Sequence, residues 1–167
     1  MGTREILNAS DPILRKSSRE VSEITPRILT LLDDMRETLK LACGLGLAAV
    51  QVGVLRRIAI IDASTAEHEE IIELINPEEI REEGQQTGIE GCLSLPGEYG
   101  IVTRPQKVWV RYKDRSGALC EYEGTDLVAR AICHELDHLD GIIYTEKAER
   151  MLTEEEAAEY DSPEENE

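Results

Sequence analysis

The chain has 167 residues, of which 41% are hydrophobic, so it can bury the core of one domain but is too short for two ordinary ones. Its 35 acidic and 18 basic residues give a formal net charge of −17, which excludes direct binding of nucleic acid or an anionic membrane unless a local basic patch offsets it. No apolar run reaches the about 20 residues of a membrane span, and the four Cys residues lack CxxC spacing. We therefore expect a cytoplasmic protein with reduced thiols.

The first half of the chain predicts one helix followed by strands. A capping threonine and a proline precede an apolar stripe of helical period, which predicts a helix over Pro26–Ala42. The apolar run at residues 58–61 predicts a buried strand. Residues 71–75 predict a further strand that ends at Asn76-Pro77, and a separate, more polar strand is expected after it.

The second half predicts a hairpin and then a second helix. Apolar and polar residues alternate over Lys107–Lys113, and a turn with glycine leads into residues 118–122, which is typical of an antiparallel hairpin. Thr125 or Asp126 then caps a helix whose apolar side includes Leu127.

The motif His134-Glu135-x-x-His138 lies on this second predicted helix. Four residues turn a helix by about 400°, so the two imidazoles share nearly one face and can reach one metal ion. Glu135 is near enough to touch a metal-bound water without ligating the ion. The pattern also arises by chance on acidic helices, but two of the three His residues of the chain lie here. The third, His68, lies in a charged run typical of an exposed loop and receives no role.

A catalytic metal site of this kind usually has three protein ligands and one water position, so a third donor is required. Glu146 and Glu149 follow the motif, but carboxylates are common in so acidic a segment. Cys92 is the better candidate, because the glycines and proline around it predict an irregular turn that exposes sulfur and backbone N–H groups together. A thiolate would favour a softer ion, and the residues alone do not choose among iron, zinc, cobalt and nickel.

Three segments of the chain, in this order, resemble the three motifs of peptide deformylases. They are GLGLAAVQ at residues 44–51, EGCLS at residues 90–94 and HELDHLDG at residues 134–141. The resemblance extends from about residue 11 to residue 144 and leaves the acidic C-terminal segment outside. It implies a metal-dependent hydrolase that removes the formyl group from the N-terminal formyl-methionine of newly synthesised proteins and releases formate.

The resemblance implies the metal ligands and the proton carrier. Cys92, His134 and His138 would hold one divalent ion, ferrous iron first, with zinc, nickel or cobalt as replacements. Glu135 would be the catalytic acid/base, which takes a proton from the attacking water and passes it to the departing amine.

The resemblance also implies contacts to the substrate and to the reaction intermediate. The Gln51 amide and the Leu93 backbone N–H would stabilise the tetrahedral intermediate, and Gly46 would offer backbone contact to the substrate. We expect an extended formylated peptide along a strand edge at residues 44–46 or 97–100. Its methionine side chain needs an apolar pocket, for which Leu45 and residues beside the metal-binding helix are candidates.

We expect an α+β fold with antiparallel or mixed sheets packed around a central C-terminal HExxH helix, together with an N-terminal helix. Residues 1–150 would form a single metallohydrolase domain, and residues 151–167 a partly disordered acidic tail. Residues 161–167 in particular have nothing to bury. The expected partners are N-formylmethionyl peptides and nascent chains, with transient contact at the ribosome and no direct binding of nucleic acid or membrane.

Two positions depart from what many deformylases have, and two other functions compete. Val50 stands where proline or threonine is common, and Cys133 stands where a Gln often precedes the first His. Neither is a ligand position, and we expect Cys133 to pack as a small hydrophobe. A zinc metallopeptidase of the HExxH type is the alternative enzyme and would need a cleft for residues on both sides of the scissile bond. A structural zinc site would instead have a closed fourth position.

Overall fold

The computed structural model of the protein describes residues 2–160, which contain three α-helices and eight β-strands. Short 3-10 helices occur at Pro12–Arg15, Ala49–Val52 and Tyr144–Glu146. The main elements in chain order are α1 (Pro26–Ala42), β1 (Gly46–Ala48), β2 (Ile58–Asp62), β3 (Ile71–Glu83), β4 (Gln86–Cys92), β5 (Leu95–Arg104), β6 (Lys107–Lys113), β7 (Leu119–Thr125), α2 (Asp126–Leu139), β8 (Arg150–Met151) and α3 (Glu154–Tyr160).

Two sheets form the framework of the fold. The larger one has five strands in the order β1-β2-β3-β6-β7, and the smaller one has three in the order β4-β5-β8. Every pairing between these strands is antiparallel. The predicted α+β class is confirmed, and its sheets are antiparallel rather than mixed.

Helix α1 has the predicted bounds, and its caps explain them. Oγ1 of Thr25 accepts a hydrogen bond from the backbone N–H of Ile28, and Pro26 occupies the first turn, where its missing N–H costs nothing. Cys43 ends the helix in the left-handed conformation, with φ of 55°. Side chains such as Leu32 and Met35 are fully buried against β1 and β2. Burial of each such side chain contributes about 1.5–3 kcal/mol.

Strand β2 is buried on both faces, which explains its unbroken apolar run. Side chains alternate across a strand, so Ile60 packs in the cluster that contains α1. The next residue, Ile61, packs in the cluster that contains Ala129 and Ile132 of α2. The two helices therefore cover opposite faces of the larger sheet, and α2 also contacts β7 and β6.

Helix α2 follows β7 directly and carries the HExxH motif. Thr125 is its N-cap, one of the two residues predicted for that position, although its side chain makes no capping hydrogen bond. Leu127 was expected on the buried side of this helix, but it is 53% exposed. It lines a cavity that also includes His134 and Glu135, so the apolar side of the helix continues from the core to the wall of this cavity.

Strand β3 runs through Asn76-Pro77, where the sequence predicts an end. The break is a bulge, because the register with β6 shifts between Ile75 and Glu78 and Asn76 has φ of 52°. The Asn76 side chain bonds both backbone groups of Val21 at 2.8 Å. A contact distant in sequence thus stabilises a bulge at a position where local propensity alone predicts the end of the strand.

The hairpin of β6 and β7 is confirmed, whereas the hairpin of β4 and β5 was not predicted. Cys92 was expected in an irregular turn, but it is the last residue of β4, and the two-residue turn follows it. Pairing with β5 extends to this end of β4, where Cys92 pairs with Leu95 after a register shift at Gly91. The irregularity predicted from glycine and proline is therefore confined to the hairpin tip.

Helix α3 lies within the segment expected to be a partly disordered tail. The two residues of β8, shortly before this helix, pair with Gly100 and Ile101 of β5, and Ala157 of the helix is buried. Residues 161–167, which the sequence predicts to be disordered, lie outside the described residues. Among residues 2–160, no helix is both long and apolar enough to cross a membrane.

Candidate metal centre

Three candidate donors from two parts of the chain converge. Cys92 ends β4, while His134 and His138 lie one turn apart on α2 with ring centroids 4.9 Å apart. The sulfur and one ring nitrogen of each histidine lie within 4.8 Å of one another. Sγ of Cys92 is 3.4 Å from Nε2 of His138. One sulfur and two nitrogens in this arrangement suit a tetrahedral divalent ion with one position left for water.

A buried carboxylate orients the first histidine. Nδ1 of His134 lies 2.6 Å from Oε2 of Glu90, and because a carboxylate only accepts, Nδ1 donates and Nε2 remains available to a metal. Arg104 makes two hydrogen bonds to the same carboxylate, at 3.1 and 2.7 Å, and Arg130 adds a third at 3.0 Å. All four side chains are buried, so these ion pairs hold the imidazole in a fixed orientation.

The electrostatics of the cluster favour a cation. Burial lowers the pKa of His138 to about 3, so its imidazole is neutral, which is the form that ligates metals. Burial also opposes protonation of His134, yet the pKa of that imidazole is raised well above its usual range by Glu135, Cys92 and Glu90. At His134 the effect of the anionic groups on the pKa exceeds the opposite effect of burial. Such a site favours a positive charge, so the donor set fits a divalent metal.

Glu135 has the properties of a proton carrier. Its side chain is buried, with the residue 3% exposed, and Oε1 has no hydrogen-bond partner among the described residues. Burial raises the pKa of Glu135 to about 7, close to the value at which a group both takes and gives a proton near neutrality. Gly46 of β1 lies against it, and a Cβ there would come within 2.7 Å of Oε2 of Glu135.

The amide of Gln51 faces the thiol. Its Oε1 accepts a hydrogen bond from the backbone N–H of Ala48 at 2.9 Å, which fixes the orientation of the amide. Its Nε2 donates to Oγ of Ser94 at 3.0 Å and lies 3.6 Å from Sγ of Cys92. Gln51 is 1% exposed, so these contacts form in an environment with little water.

A cavity of about 390 Å³ opens onto this cluster. Its inner part includes Cys92, His134 and Glu135. Leu45 and Leu127, 45% and 53% exposed, are apolar side chains on its wall. The other predicted site residues on its lining are Gly46, Gln51 and Leu93. A cavity that combines an apolar wall with a few polar groups is typical of a small-ligand site.

Comparison with known proteins identifies the family. The family model for polypeptide deformylase matches residues 3–154. The peptide deformylase of Caldanaerobacter subterraneus subsp. tengcongensis is 53% identical over 156 residues, which cover 93% of this chain and 96% of that protein. The peptide deformylase of Lachnoclostridium phytofermentans is 53% identical over 165 residues, 99% of each chain.

The chain belongs to the polypeptide deformylase family.

Solved deformylase structures have the same fold. The peptide deformylase of Synechococcus elongatus in complex with actinonin is 35% identical, with a TM-score of 0.84 over 94% of this chain and 85% of that one. The enzyme of Ehrlichia chaffeensis is 32% identical, with a TM-score of 0.83 over 98% and 97% of the two chains. The predicted deformylase function is confirmed, and the alternative of an HExxH metallopeptidase is not supported.

The residues that the sequence analysis did not choose as metal ligands are absent from the group of candidate donor atoms. Glu146 pairs with Arg15, and Glu149 accepts a hydrogen bond from Thr103, so neither carboxylate belongs to the donor set. Burial raises the pKa of the Cys133 thiol to about 12, and this side chain packs beside the core cluster of α2. His68 is exposed, as expected.

The buried residues that orient His134, namely Glu90 and the two arginines that bond to it, were not predicted from the sequence. Glu90 stands inside the second motif, yet nothing in its local sequence distinguishes it from the many exposed glutamates of this chain. Its burial depends on Arg104 and Arg130, which come from β5 and α2. The signal that could have found it is the need of a metal-binding histidine for a second partner.

Proposed function

We propose that this chain hydrolyses the formamide of N-formylmethionyl peptides with a divalent ion held by Cys92, His134 and His138, and with Glu135 as the proton carrier. The observation that carries the proposal is the convergence of three donor atoms within 4.8 Å at a cavity that Glu135 also lines. The reaction consumes water and yields formate and a free N-terminal amine.

We propose ferrous iron as the resident ion, with zinc, nickel or cobalt as functional replacements. A donor set of one thiolate and two imidazoles supports this choice, because it suits borderline and softer divalent ions better than magnesium or calcium. When bound, the ion would supply Lewis-acid activation of water at neutral pH.

Glu135 would move the proton between two sites. Its carboxylate would accept the proton of the attacking water and then donate it to the departing amine nitrogen, so one group acts as base and then as acid. The buried position and the pKa of about 7 support this role. The catalytic group would return to its starting state in each turnover.

Gln51 and Leu93 would stabilise the negative charge that develops on the formyl oxygen. Nε2 of Gln51 is held in the site by the hydrogen bond from Ala48 to the other end of its amide. Leu93 follows Cys92 directly, and we assign its backbone N–H as the second donor. Loss of one such donor typically costs about 10²- to 10³-fold in rate.

The substrate would lie extended in the cavity. We propose that Gly46 contacts the peptide backbone and that Leu45, together with residues of α2, surrounds the methionine side chain. Both residues line the cavity, and the exposed leucine offers apolar surface that a methionine would cover. The second edge predicted for the peptide, residues 97–100, borders the same cavity at Gly97.

We further propose that residues 1–150 are the metallohydrolase domain, with α2 as its central element between the two sheets. The contacts of α2 with β1, β2, β5, β6 and β7 support this arrangement. We propose a cytoplasmic enzyme that acts on nascent chains, with transient contact at the ribosome and no direct binding of nucleic acid or membrane, as the net charge of −17 favours.

Two variants test the assignment of roles. The Glu135→Gln enzyme should keep its metal and lose at least about 10³-fold in kcat, because it lacks the proton carrier but retains all three ligands. The Cys92→Ala enzyme should lose the metal itself. The measurements are formate release from formyl-Met-Ala-Ser and elemental analysis after anaerobic purification. Metal lost from Glu135→Gln, or retained in Cys92→Ala after dialysis, would contradict the assignment.

A further inference from the structure

The C-terminal helix α3 brings a tyrosine to the mouth of the catalytic cavity. Tyr160 lines the same cavity as Cys92, His134 and Glu135, although it is far from them in sequence. Its ring centroid lies 4.7 Å from that of Tyr99 on β5, with an interplanar angle of 59°. Such tilted pairs are a favourable aromatic contact.

Helix α3 is fixed on the smaller sheet by several contacts. Arg150 makes two hydrogen bonds of 3.0 Å to the carboxylate of Glu156. Thr153 and Glu156 cap the helix start reciprocally, each accepting a backbone N–H of the other at 3.1 Å. The backbone N–H of Leu152 donates to the carbonyl of Tyr99 at 2.8 Å. Tyr160 therefore ends a short helix whose position is set by β5.

The Tyr99–Tyr160 pair lies close to the candidate metal ligand Cys92, because Tyr99 packs on the glycine that precedes it. Tyr99 is paired with Gly91 across β4 and β5, and a Cβ at Gly91 would lie 2.8 Å from the Tyr99 ring. The ring thus lies over the backbone of the residue before Cys92. Tyr160 packs on that ring, one layer further from the donors.

The direction of the substrate follows from burial. Glu135, 3% exposed, lies in the inner part of the cavity, whereas Tyr160, 43% exposed, lies in its outer part together with Leu45 and Leu127, which are 45% and 53% exposed. The formyl group at the N-terminus of a peptide must reach Glu135. Residues after the formyl-methionine then lie progressively nearer the outer end.

We propose that Tyr160, supported by Tyr99, forms the outer wall of the site and selects for apolar side chains at the second or third residue of the formylated peptide. This inference rests on the proposed function of the cavity. A half-exposed tyrosine ring offers apolar area with few rotatable bonds, so it can be covered by an aliphatic or aromatic side chain at little entropic cost. A glycine at the same peptide position would gain nothing from the ring.

The test compares leucine with glycine at each downstream position. The substrates are formyl-Met-Leu-Gly, formyl-Met-Gly-Leu and formyl-Met-Gly-Gly, with formyl-Met amide as the substrate that lacks downstream residues. At one of the two positions, we expect the metal-loaded enzyme to prefer leucine about three- to tenfold in kcat/KM, mainly through KM. In Tyr160→Ala this ratio should fall to about one, whereas Tyr160→Phe should retain it.

Two controls separate selection from a general effect on the fold. Leu119→Ala removes an exposed apolar side chain of β7 outside the cavity lining and should leave the ratio unchanged. Calorimetric binding of the preferred peptide to metal-loaded Glu135→Gln should weaken by the same factor when Tyr160→Ala is added. This second readout does not depend on turnover.

Each outcome decides between the alternatives. A leucine preference that persists in Tyr160→Ala overturns the inference, and so does the absence of any preference in the unmodified enzyme. An equal loss with formyl-Met amide also overturns it, because Tyr160 would then act through the fold. Absence of formate from every substrate would instead refute the proposed function.

Discussion

An alanine at position 46 would place its Cβ 2.7 Å from Oε2 of Glu135 and 2.9 Å from its Cγ. Atoms do not approach so closely, so the carboxyl would have to move. Gly46, the first residue of β1, pairs with Ile61, and this position is therefore restricted to glycine by the side chain of Glu135 and not by its own backbone conformation.

We expect Gly46→Ala to lower kcat about 10- to 100-fold, because a displacement of about 1 Å at a catalytic group costs on that order. Metal content should be unchanged, since no ligand is touched. Formate release and elemental analysis measure the two effects. Gly88→Ala on β4 is a matched control, because its Cβ would make only an ordinary contact of 3.5 Å with Arg130. Full activity of Gly46→Ala would refute the close approach.

Glu90→Gln should weaken metal binding about 10- to 100-fold, because His134 would lose the carboxylate that orients its imidazole. The same change leaves buried Arg130 without its anion and leaves Arg104 with Asp137 alone, which costs about 3–5 kcal/mol of folding stability. Competition with a chelator measures the affinity, and urea unfolding measures the stability. Glu98→Gln, at an exposed position, should change neither quantity. Unaltered metal affinity in Glu90→Gln would show that the imidazole is held by its helix alone.

At the scale of elements, Glu73 connects strand β3 to helix α1 and to the turn between β6 and β7. This β3 carboxylate accepts hydrogen bonds from Arg36 of α1 at 2.8 Å and from Arg115 of the β6–β7 turn at 2.7 and 2.6 Å. Although burial raises the pKa of Glu73, these arginines lower it below its ordinary value of 4.5. The pairing therefore couples stability to pH.

A carboxyl with a lower pKa in the folded than in the unfolded state contributes stability above the unfolded pKa, and this stability is lost as the pH falls through the folded value. Glu73→Gln should be less stable than the parent by on the order of 2 kcal/mol at pH 7. The difference should narrow as the pH falls below about 4.5. Urea titrations from pH 7 to pH 3 measure it, with the exposed Glu78→Gln as control. A difference that is independent of pH would contradict the linkage.

The elements that sequence reasoning found are those whose signals are local. Helix α1 has a cap, a proline and a regular apolar stripe, and the β6–β7 hairpin has clean alternation around a turn. Strands β4 and β5 contain several glycines and a proline, and they form because each pairs with the other. Helix α3 has only seven residues and is acidic, so contacts with β5 rather than propensity stabilise it.

At the scale of the whole molecule, the candidate donors come from different layers. Cys92 belongs to the three-stranded sheet, whereas both histidines lie on the helix that packs on the five-stranded sheet. The motifs predicted that these residues meet. They could not predict that the donors come from two different sheet layers, because sheet membership depends on strand pairings between residues distant in sequence.

Removal of the metal by chelation should therefore destabilise the protein and loosen the smaller sheet first. At a hundredfold excess of metal over its Kd, bound metal contributes about 2.7 kcal/mol. Thermal unfolding should report that loss, and hydrogen exchange should quicken in β4 and the turn after Cys92 more than in α1. In Cys92→Ala, the chelator should have no such effect. Equal acceleration in α1 would mean that the ion stabilises the molecule uniformly.

The dispersal of the candidate donors along the chain has a consequence for biosynthesis. Synthesis must pass position 92 and then position 138 before all three exist. Under the proposed assignment of ligands, no growing copy shorter than this is active. Any formyl group on a nascent copy that is still that short must therefore be removed in trans, by a molecule made earlier.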